Sequence, residues 1–299
     1  MHNGAVELDI DTARALIADA DDHLAGESLA LVADRGTDHV LFRVGEDLLA
    51  RFPIIDWAAN QPRRETHNLR AVEQITSVRV PRTIACGAPG HGYPWNWSLV
   101  TWLAGTRLAP DRAKSNEVSR ELGATITGLL RQLAACTPSV THRASRSMRV
   151  VERDAAVRRG IDGLRDDRAS RALIERTWLK LFEHARATDD GRTTFIHGDL
   201  APGNLLTSPG EPFAVIDWGG AGIGDPAIDL AVVWSTLTAR ERDSVRDELS
   251  CNDPLWIRSA AWALSIAIVA LPYYRDRLPA LATQSLATID VVTAEFAAG

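Results

Sequence analysis

The sequence predicts an α+β fold with two lobes, a small antiparallel-sheet lobe followed by a larger, mainly helical one. Two observations carry this reading. Short strand-like runs separated by turn residues dominate residues 28–103, and from residue 115 onward helical periodicity takes over. A chain of 299 residues with 45% hydrophobic content is long enough for two such lobes and a sizeable core. The expected division is 1–102, the sheet-rich lobe, and 103–299, the helical lobe.

Residues 9–23 read as a first helix. Ile10, Ala13, Leu16, Ile17 and Ala20 share one face, with Asp9 or Asp11 as the cap. Strands are expected at 28–33, 39–44 and 47–52, joined by turns around Gly36 and Gly45-Glu46. Residues 62–76 suit a helix with Pro62 in its first turn and Leu69, Val72 and Ile75 on one side. Two further strands are expected at 81–87 and 97–103. The crossing between lobes falls near 101–105. Residues 116–135 form an amphipathic pattern through Val118, Leu122, Ile126, Leu129 and Leu133. Helices also fit 149–160, 168–187, 226–237, 239–250, 254–271 and 280–297, interrupted by short strands around 195 and 215.

Composition narrows the function. A formal charge of -6 argues against a nucleic-acid partner. Three scattered cysteines, Cys86, Cys136 and Cys251, give neither a disulfide framework nor zinc-ligand spacing, which suits a reducing cytoplasm. No secretory pattern opens the chain, and the longest apolar stretch, 259–271, is too short to span a bilayer and reads as a buried helix. The expectation is a cytoplasmic protein with no membrane partner, monomeric or weakly dimeric.

The chemistry is concentrated in Phe195-Ile196-His197-Gly198-Asp199-Leu200-Ala201-Pro202-Gly203-Asn204 and in Val215-Ile216-Asp217-Trp218. Asp199 and Asp217 each follow apolar residues, as at the ends of short buried strands. Read singly, Asp199 is a cap or turn aspartate, Asn204 a turn asparagine and Asp217 a strand-end aspartate. Read together, they supply what phosphoryl transfer from a nucleotide needs: a proton-accepting carboxylate, and an amide and a carboxylate for Mg²⁺. Mg²⁺ keeps several waters and takes only one or two carboxylates. Asp199 is therefore the candidate base, and Asn204 and Asp217 the candidate metal ligands.

This segment resembles the catalytic core of the aminoglycoside and macrolide phosphotransferases, small-molecule relatives of the protein kinases. The family's His-Gly-Asp-x-x-x-x-Asn loop and Ile-Asp-Trp strand end are both present, and Gly224-Asp225-Pro226-Ala227-Ile228-Asp229-Leu230-Ala231 is similar to its Asp-Pro-x-x-Asp-Leu-Ala continuation. Gly92-Tyr93-Pro94-Trp95-Asn96-Trp97-Ser98 resembles a segment of its actinobacterial-type members. The resemblance spans roughly 25 to 235 and implies a protein-kinase-like fold. It also implies a Mg²⁺-dependent transfer of the γ-phosphate of ATP or GTP to a hydroxyl of a small molecule. The acceptor it suggests is an antibiotic of macrolide or aminoglycoside type.

The resemblance also assigns supporting roles. The crossing segment, with Thr101 and Leu103, would offer backbone groups to the purine edge. His197 would brace the catalytic loop. Asp225 would cap the helix beginning at Pro226, and Asp229 would tie that helix to the loop. Kinase-like enzymes place a lysine on the third strand, paired with a glutamate on the next helix. Here no lysine precedes residue 114, and Arg51 stands at that position, as in some macrolide-type relatives. Guanidinium can clamp phosphate bidentately. Glu65 is its first candidate partner and Glu73 the second. The phosphate-covering loop would be Asp34-Arg35-Gly36-Thr37-Asp38, with Gly36 amides and Thr37 as contacts. One glycine makes an ordinary hairpin turn the competing reading.

For the acceptor, Trp234, Trp256, Trp262, Tyr273 and Tyr274 are candidates for either a pocket wall or the core. Asp225, Glu241 and Asp276 are candidate partners for a cation. Residues 254–271 and 280–297 are poor in acid, which suits a less charged acceptor than a polycationic aminoglycoside. Two rivals stand beside this reading: a metabolic kinase of a sugar, amino alcohol or hydroxy amino acid, and a nucleotide-binding pseudokinase. A protein-substrate kinase is disfavoured by the short stretch from Asp217 to Asp225 and the lack of Ala-Pro-Glu after Asp217.

Overall fold

The structure is a computed structural model and describes residues 6–32, 38–109, 116–136, 142–164 and 168–296. The chain divides into two compact units, one of 1–106 with 206–221, the other of 107–205 with 222–299.

The first unit opens with α1 (Ile10–Ala20), whose first turn is closed by Asp9 Oδ1 accepting from Thr12 N–H at 2.7 Å. Its sheet is antiparallel and five-stranded, in the order β1 (Leu29–Leu31), β2 (His39–Val44), β3 (Leu48–Pro53), β5 (Trp97–Thr101), β4 (Thr83–Gly87). A two-residue strand, β6 (Thr106–Arg107), follows β5 in the chain. Between β3 and β4 lies α2 (Gln61–Val72), with Pro62 in its first turn. This helix stops short of the 62–76 pattern, and Ile75 and Thr76 continue only as a turn with N–H bonds to Val72 O.

Alternation along β2 and β3 sends Val40, Phe42, Val44, Ala50 and Phe52 into a core shared with Leu16 and Ile17 of α1. The aromatic segment 92–98 closes this core. Trp97 stacks on Phe52 with centroids 4.9 Å apart, Tyr93 meets the same ring edge-on at 5.5 Å, and Tyr93 O–H donates to Pro53 O at 2.7 Å. Gly87 lies directly under the indole, where an added Cβ would stand 2.0 Å from Trp97 Cε2. Gly87→Ala should therefore force the buried indole aside and cost about 1–3 kcal/mol, read as a lower denaturant midpoint at unchanged slope.

In the second unit β7 (Thr194–Ile196) pairs antiparallel with β10 (Gly222–Gly224). Helices surround this ribbon: α3 (Asn116–Ala135), α4 (Asp154–Asp162), α5 (Arg168–Thr188), α8 (Ala239–Glu248), α9 (Asp253–Tyr274) and α10 (Pro279–Phe296). The stretch expected as one helix at 226–237 is two short ones, α6 (Ala227–Leu230) and α7 (Val232–Thr236). The 149–160 pattern begins as a 3-10 turn, Val150–Arg153, before α4. By length and composition α9 could cross a membrane, but 67% of its apolar window is buried inside the unit, against α10, α5 and α4. Trp234, Trp256 and Trp262 are buried in this core.

A final hairpin, β8 (Leu205–Ser208) and β9 (Glu211–Val215), leads into Asp217. It belongs to the first unit because Arg79 holds it there. Arg79 N–H donates to Phe213 O at 3.1 Å, Val215 N–H donates to Arg79 O at 2.9 Å, and the Arg79 guanidinium pairs with Glu211 at 2.6 Å.

Candidate active site

The candidate residues form two clusters, one in each unit. In the first unit Arg51 projects from β3, paired across the sheet with Leu41 and Ser98. Its Nη1 donates to Glu65 Oε1 at 2.7 Å and its Nη2 to Asp217 Oδ1 at 3.1 Å. The Arg51 and Glu65 side chains are 10% and 3% exposed, whereas Asp217 is 43% exposed. Burial works against the Arg51 charge, but the two carboxylates outweigh it and raise its pKa. Burial lifts Glu65 above the ordinary carboxylate range, with Arg51 opposing. Of the two candidate partners, Glu65 is the one in contact. Glu73 sits exposed at the end of α2.

Asp217 adopts a left-handed backbone conformation, φ 66° and ψ 59°, which costs a non-glycine residue about 1–3 kcal/mol. The surroundings enforce it. Trp218 Nε1 donates to Val215 O at 3.0 Å, and the fully buried Asn68 donates from Nδ2 to Trp218 O at 2.8 Å and to Ala221 O at 3.1 Å. Asn68 was not legible as a site residue. Its one signal is position, three residues after Glu65 and so on the same face of α2.

His39, on β2, is a second unforeseen member. Burial, then the nearby Arg51 charge, lower its pKa from 6.5 to about 3. It is therefore neutral when folded, while the unfolded chain takes up a proton below 6.5. This group's contribution is complete above 6.5 and is lost as pH falls toward about 3. Unfolding free energy should drop by at most about 1.4 kcal/mol per pH unit across that window. His39→Gln should flatten that slope in urea titrations.

Gly36 and Thr37 lie outside the described residues. Thr101 ends β5 with its N–H bonded to Arg82 O and its hydroxyl accepting from Arg82 N–H, each at 2.9 Å. That N–H is thus spent on the sheet. Leu103 follows in 102–105, a stretch with no regular secondary structure between β5 and β6.

In the second unit the candidate catalytic loop leaves β7 through buried His197 and through Gly198, whose φ of +80° suits glycine. Buried Asp229 of α6 clamps it, accepting from His197 N–H at 2.6 Å and Gly198 N–H at 2.8 Å. Burial raises the Asp229 pKa, opposed by His197 and by these two bonds. His197 Nδ1 accepts from Asp199 N–H at 3.2 Å. A 3-10 turn, Pro202–Asn204, then folds back so that Asn204 Nδ2 donates to Asp199 O at 2.9 Å. That bond commits the amide nitrogen and leaves Oδ1 as the hard donor. Asp225 accepts from Ala227 N–H at 3.0 Å and pairs with buried Arg258 at 3.2 Å, so it is a structural group and not a cation site.

Beside Asp199 the helical unit holds a cleft of about 80 Å³. Its walls are Leu200, Ile228, Val232, Ile266 and alanines of α9, with Ser235, Gln284, Ser285 and Thr288 as neutral polar groups. None of the five candidate aromatics lines it, and neither do Glu241 and Asp276. Among the described residues its only charged lining groups are Asp199 and Arg146. Arg146 donates to Asp199 Oδ1 and, at 3.2 Å, to Gly198 O. This arginine, 53 residues before its partner, carries no motif.

The family model described as Phosphotransferase enzyme family matches residues 30–254. The GDP complex of wild-type aminoglycoside 2'-phosphotransferase-IIIa superposes with a TM-score of 0.75 at 17% identity, covering 96% of this chain and 99% of that one. Macrolide 2'-phosphotransferase MphH from Brachybacterium faecium gives 0.59 at 18% identity, covering 94% and 98%. At such identities the likeness is one of fold. Thiamine kinase of Escherichia coli K12 is 36% identical over 73 residues, 23% of this chain, and the match spans about a quarter (26%) of that enzyme's length.

Proposed function

Because the chain belongs to the phosphotransferase enzyme family, we propose that it transfers the γ-phosphate of ATP or GTP to a hydroxyl of a small molecule. The observation carrying this is Asp199, half-exposed at the wall of a cleft on a loop fixed by Asp229 and Asn204. Phosphoryl transfer asks mainly for positioning and charge neutralisation, so a carboxylate held this way orients the acceptor hydroxyl and takes its proton. Arg51, held by Glu65, would bind phosphate oxygens. Hard oxygens suit Mg²⁺, and by donor chemistry Asp217 of the first unit and Asn204 of the second are each candidate ligands. When bound, that ion supplies neutralisation of phosphate charge.

The cleft supports an acceptor of low positive charge. With one carboxylate among its described lining residues, already paired, it is poorly suited to a polycationic aminoglycoside and leaves a macrolide-type or similar antibiotic as the resistance reading. A metabolic hydroxyl acceptor is the second reading, favoured by the neutral polar groups Ser235, Gln284, Ser285 and Thr288 on the cleft wall. The deciding experiment is Mg-nucleotide consumption with ATP and GTP against macrolides, aminoglycosides, amino alcohols, sugars and hydroxy acids. Acceptor-dependent turnover identifies the class. Binding of nucleotide without turnover on any acceptor would favour the pseudokinase rival.

A further inference from the structure

We infer that Arg146 is a positioning residue for phosphate transfer: it fixes the Asp199 carboxylate through Oδ1 and so leaves Oδ2 as the oxygen that receives the acceptor proton. The inference rests on the reading of Asp199 as the base.

The backbone around Asp199 is held by side chains on every polar group. Asp229 accepts from Gly198 N–H at 2.8 Å, and Arg146 Nη1 donates to Gly198 O at 3.2 Å. His197 Nδ1 accepts from Asp199 N–H at 3.2 Å, and Asn204 Nδ2 donates to Asp199 O at 2.9 Å. What remains is the side chain. It is 43% exposed, and the terminal torsion of an aspartate is broad, so packing does not choose which oxygen faces an acceptor. Arg146 makes that choice. The Nη1 that grips Gly198 O also donates to Asp199 Oδ1, so one nitrogen ties the carboxylate to the backbone just before it. The loop from His197 to Asn204 contains neither lysine nor arginine, and the cation has to come from elsewhere in the chain.

Arg146 takes its own position from the ribbon that launches the loop. Ala144 N–H donates to Ile223 O and Ile223 N–H to His142 O, each at 3.0 Å, so 142–144 runs parallel beside β10. β10 pairs in turn with β7, Gly222 opposite Ile196, and His197 follows directly. Gly222 permits the close approach, since an added Cβ there would stand 2.6 Å from Ala144 N. Arg146 and Asp199 therefore leave the same hydrogen-bonded ribbon a few residues from its end. Their pair is partly exposed and adds little to stability. Its effect falls on rate, because a misplacement of about 1 Å can cost about 100-fold. Phosphoryl transfer depends on placement more than on base strength, so a cation on Oδ1 is compatible with proton acceptance at Oδ2.

The test measures transfer to the acceptor found by the nucleotide-consumption panel, using the whole protein unaltered, as Arg146→Met, as Asp199→Asn, and with both changes. Arg146→Met is expected to lower kcat about 10- to 100-fold. KM for nucleotide and acceptor should change little, as for an interaction that acts in the transition state. In the Asp199→Asn protein the same substitution should cost nothing further, because its route runs through that carboxylate. Guanidinium ion at millimolar concentration should restore part of the kcat of Arg146→Met and leave the unaltered protein as it was. A residue that merely supported the fold would instead add its loss to that of Asp199→Asn. An additive loss in kcat, a loss confined to KM, or an unchanged kcat would overturn the inference. Should Arg146→Met not fold, Arg146→Lys, which keeps a cation without the planar fork, goes through the same cycle with the same criteria. Absence of turnover by the unaltered protein on every acceptor would count against the phosphotransfer reading, and the inference would fall with it.

Discussion

Replacing Asp199 by asparagine is expected to lower kcat by about 10²–10⁴-fold, the usual contribution of a positioned general base. Affinity for Mg-nucleotide should survive, because Arg51, Glu65 and Asp217 belong to the other unit and keep their contacts. Stability should change little. The substituted loop would retain the backbone bonds to His197 and Asn204, which do not involve the side chain that changes. The pair with Arg146 is partly exposed, at 37% and 43%, and its loss should be modest. The measurement is single-turnover transfer beside equilibrium nucleotide binding. Equal losses in both would show that the substitution disturbs the fold of the loop, and an unchanged kcat would remove Asp199 from the chemistry.

Glu65→Ala should instead strike stability. It leaves the Arg51 guanidinium buried with one carboxylate where it had two, and breaking a buried ion pair from one side costs about 3–5 kcal/mol. The left-handed Asp217 should loosen with it, since Arg51 is what bridges Glu65 to that residue. Replacing both partners, as Arg51→Met with Glu65→Leu, should recover most of the stability by removing the orphaned charge. It should not recover nucleotide affinity. Denaturant titration and nucleotide titration of the single and double variants separate the two effects. A double variant that binds nucleotide as well as the unaltered chain would refute the phosphate-clamp role of Arg51.

Much of the architecture was legible because it depends on short-range pattern. Strand-like runs bounded by turn residues marked 39–44 and 48–53 as neighbouring antiparallel strands, which are β2 and β3 of the five-stranded sheet. Helical periodicity likewise marks 116–135 and 254–271, where one face or all faces meet the core. Where local pattern failed, a tertiary contact had decided. The 226–237 stretch is divided at Ala231 into α6 and α7, and Asp229 of α6 accepts from the His197 N–H of the candidate loop.

The candidate loop was marked by local sequence alone. Asp199 and Asn204 lie five residues apart, close enough for one turn to bring the Asn204 amide onto the Asp199 carbonyl, and this spacing is a local property of the chain. Asp217 was marked by the apolar strand before it. Only the tertiary structure decided which glutamate meets Arg51, which asparagine holds the loop after Asp217, and which arginine caps Asp199. Those partners stand 14, 150 and 53 residues away in the chain. A carboxylate or guanidinium looks the same in sequence whether solvated or buried. Its role is fixed when packing removes the water and leaves one oppositely charged or hydrogen-bonding neighbour in reach.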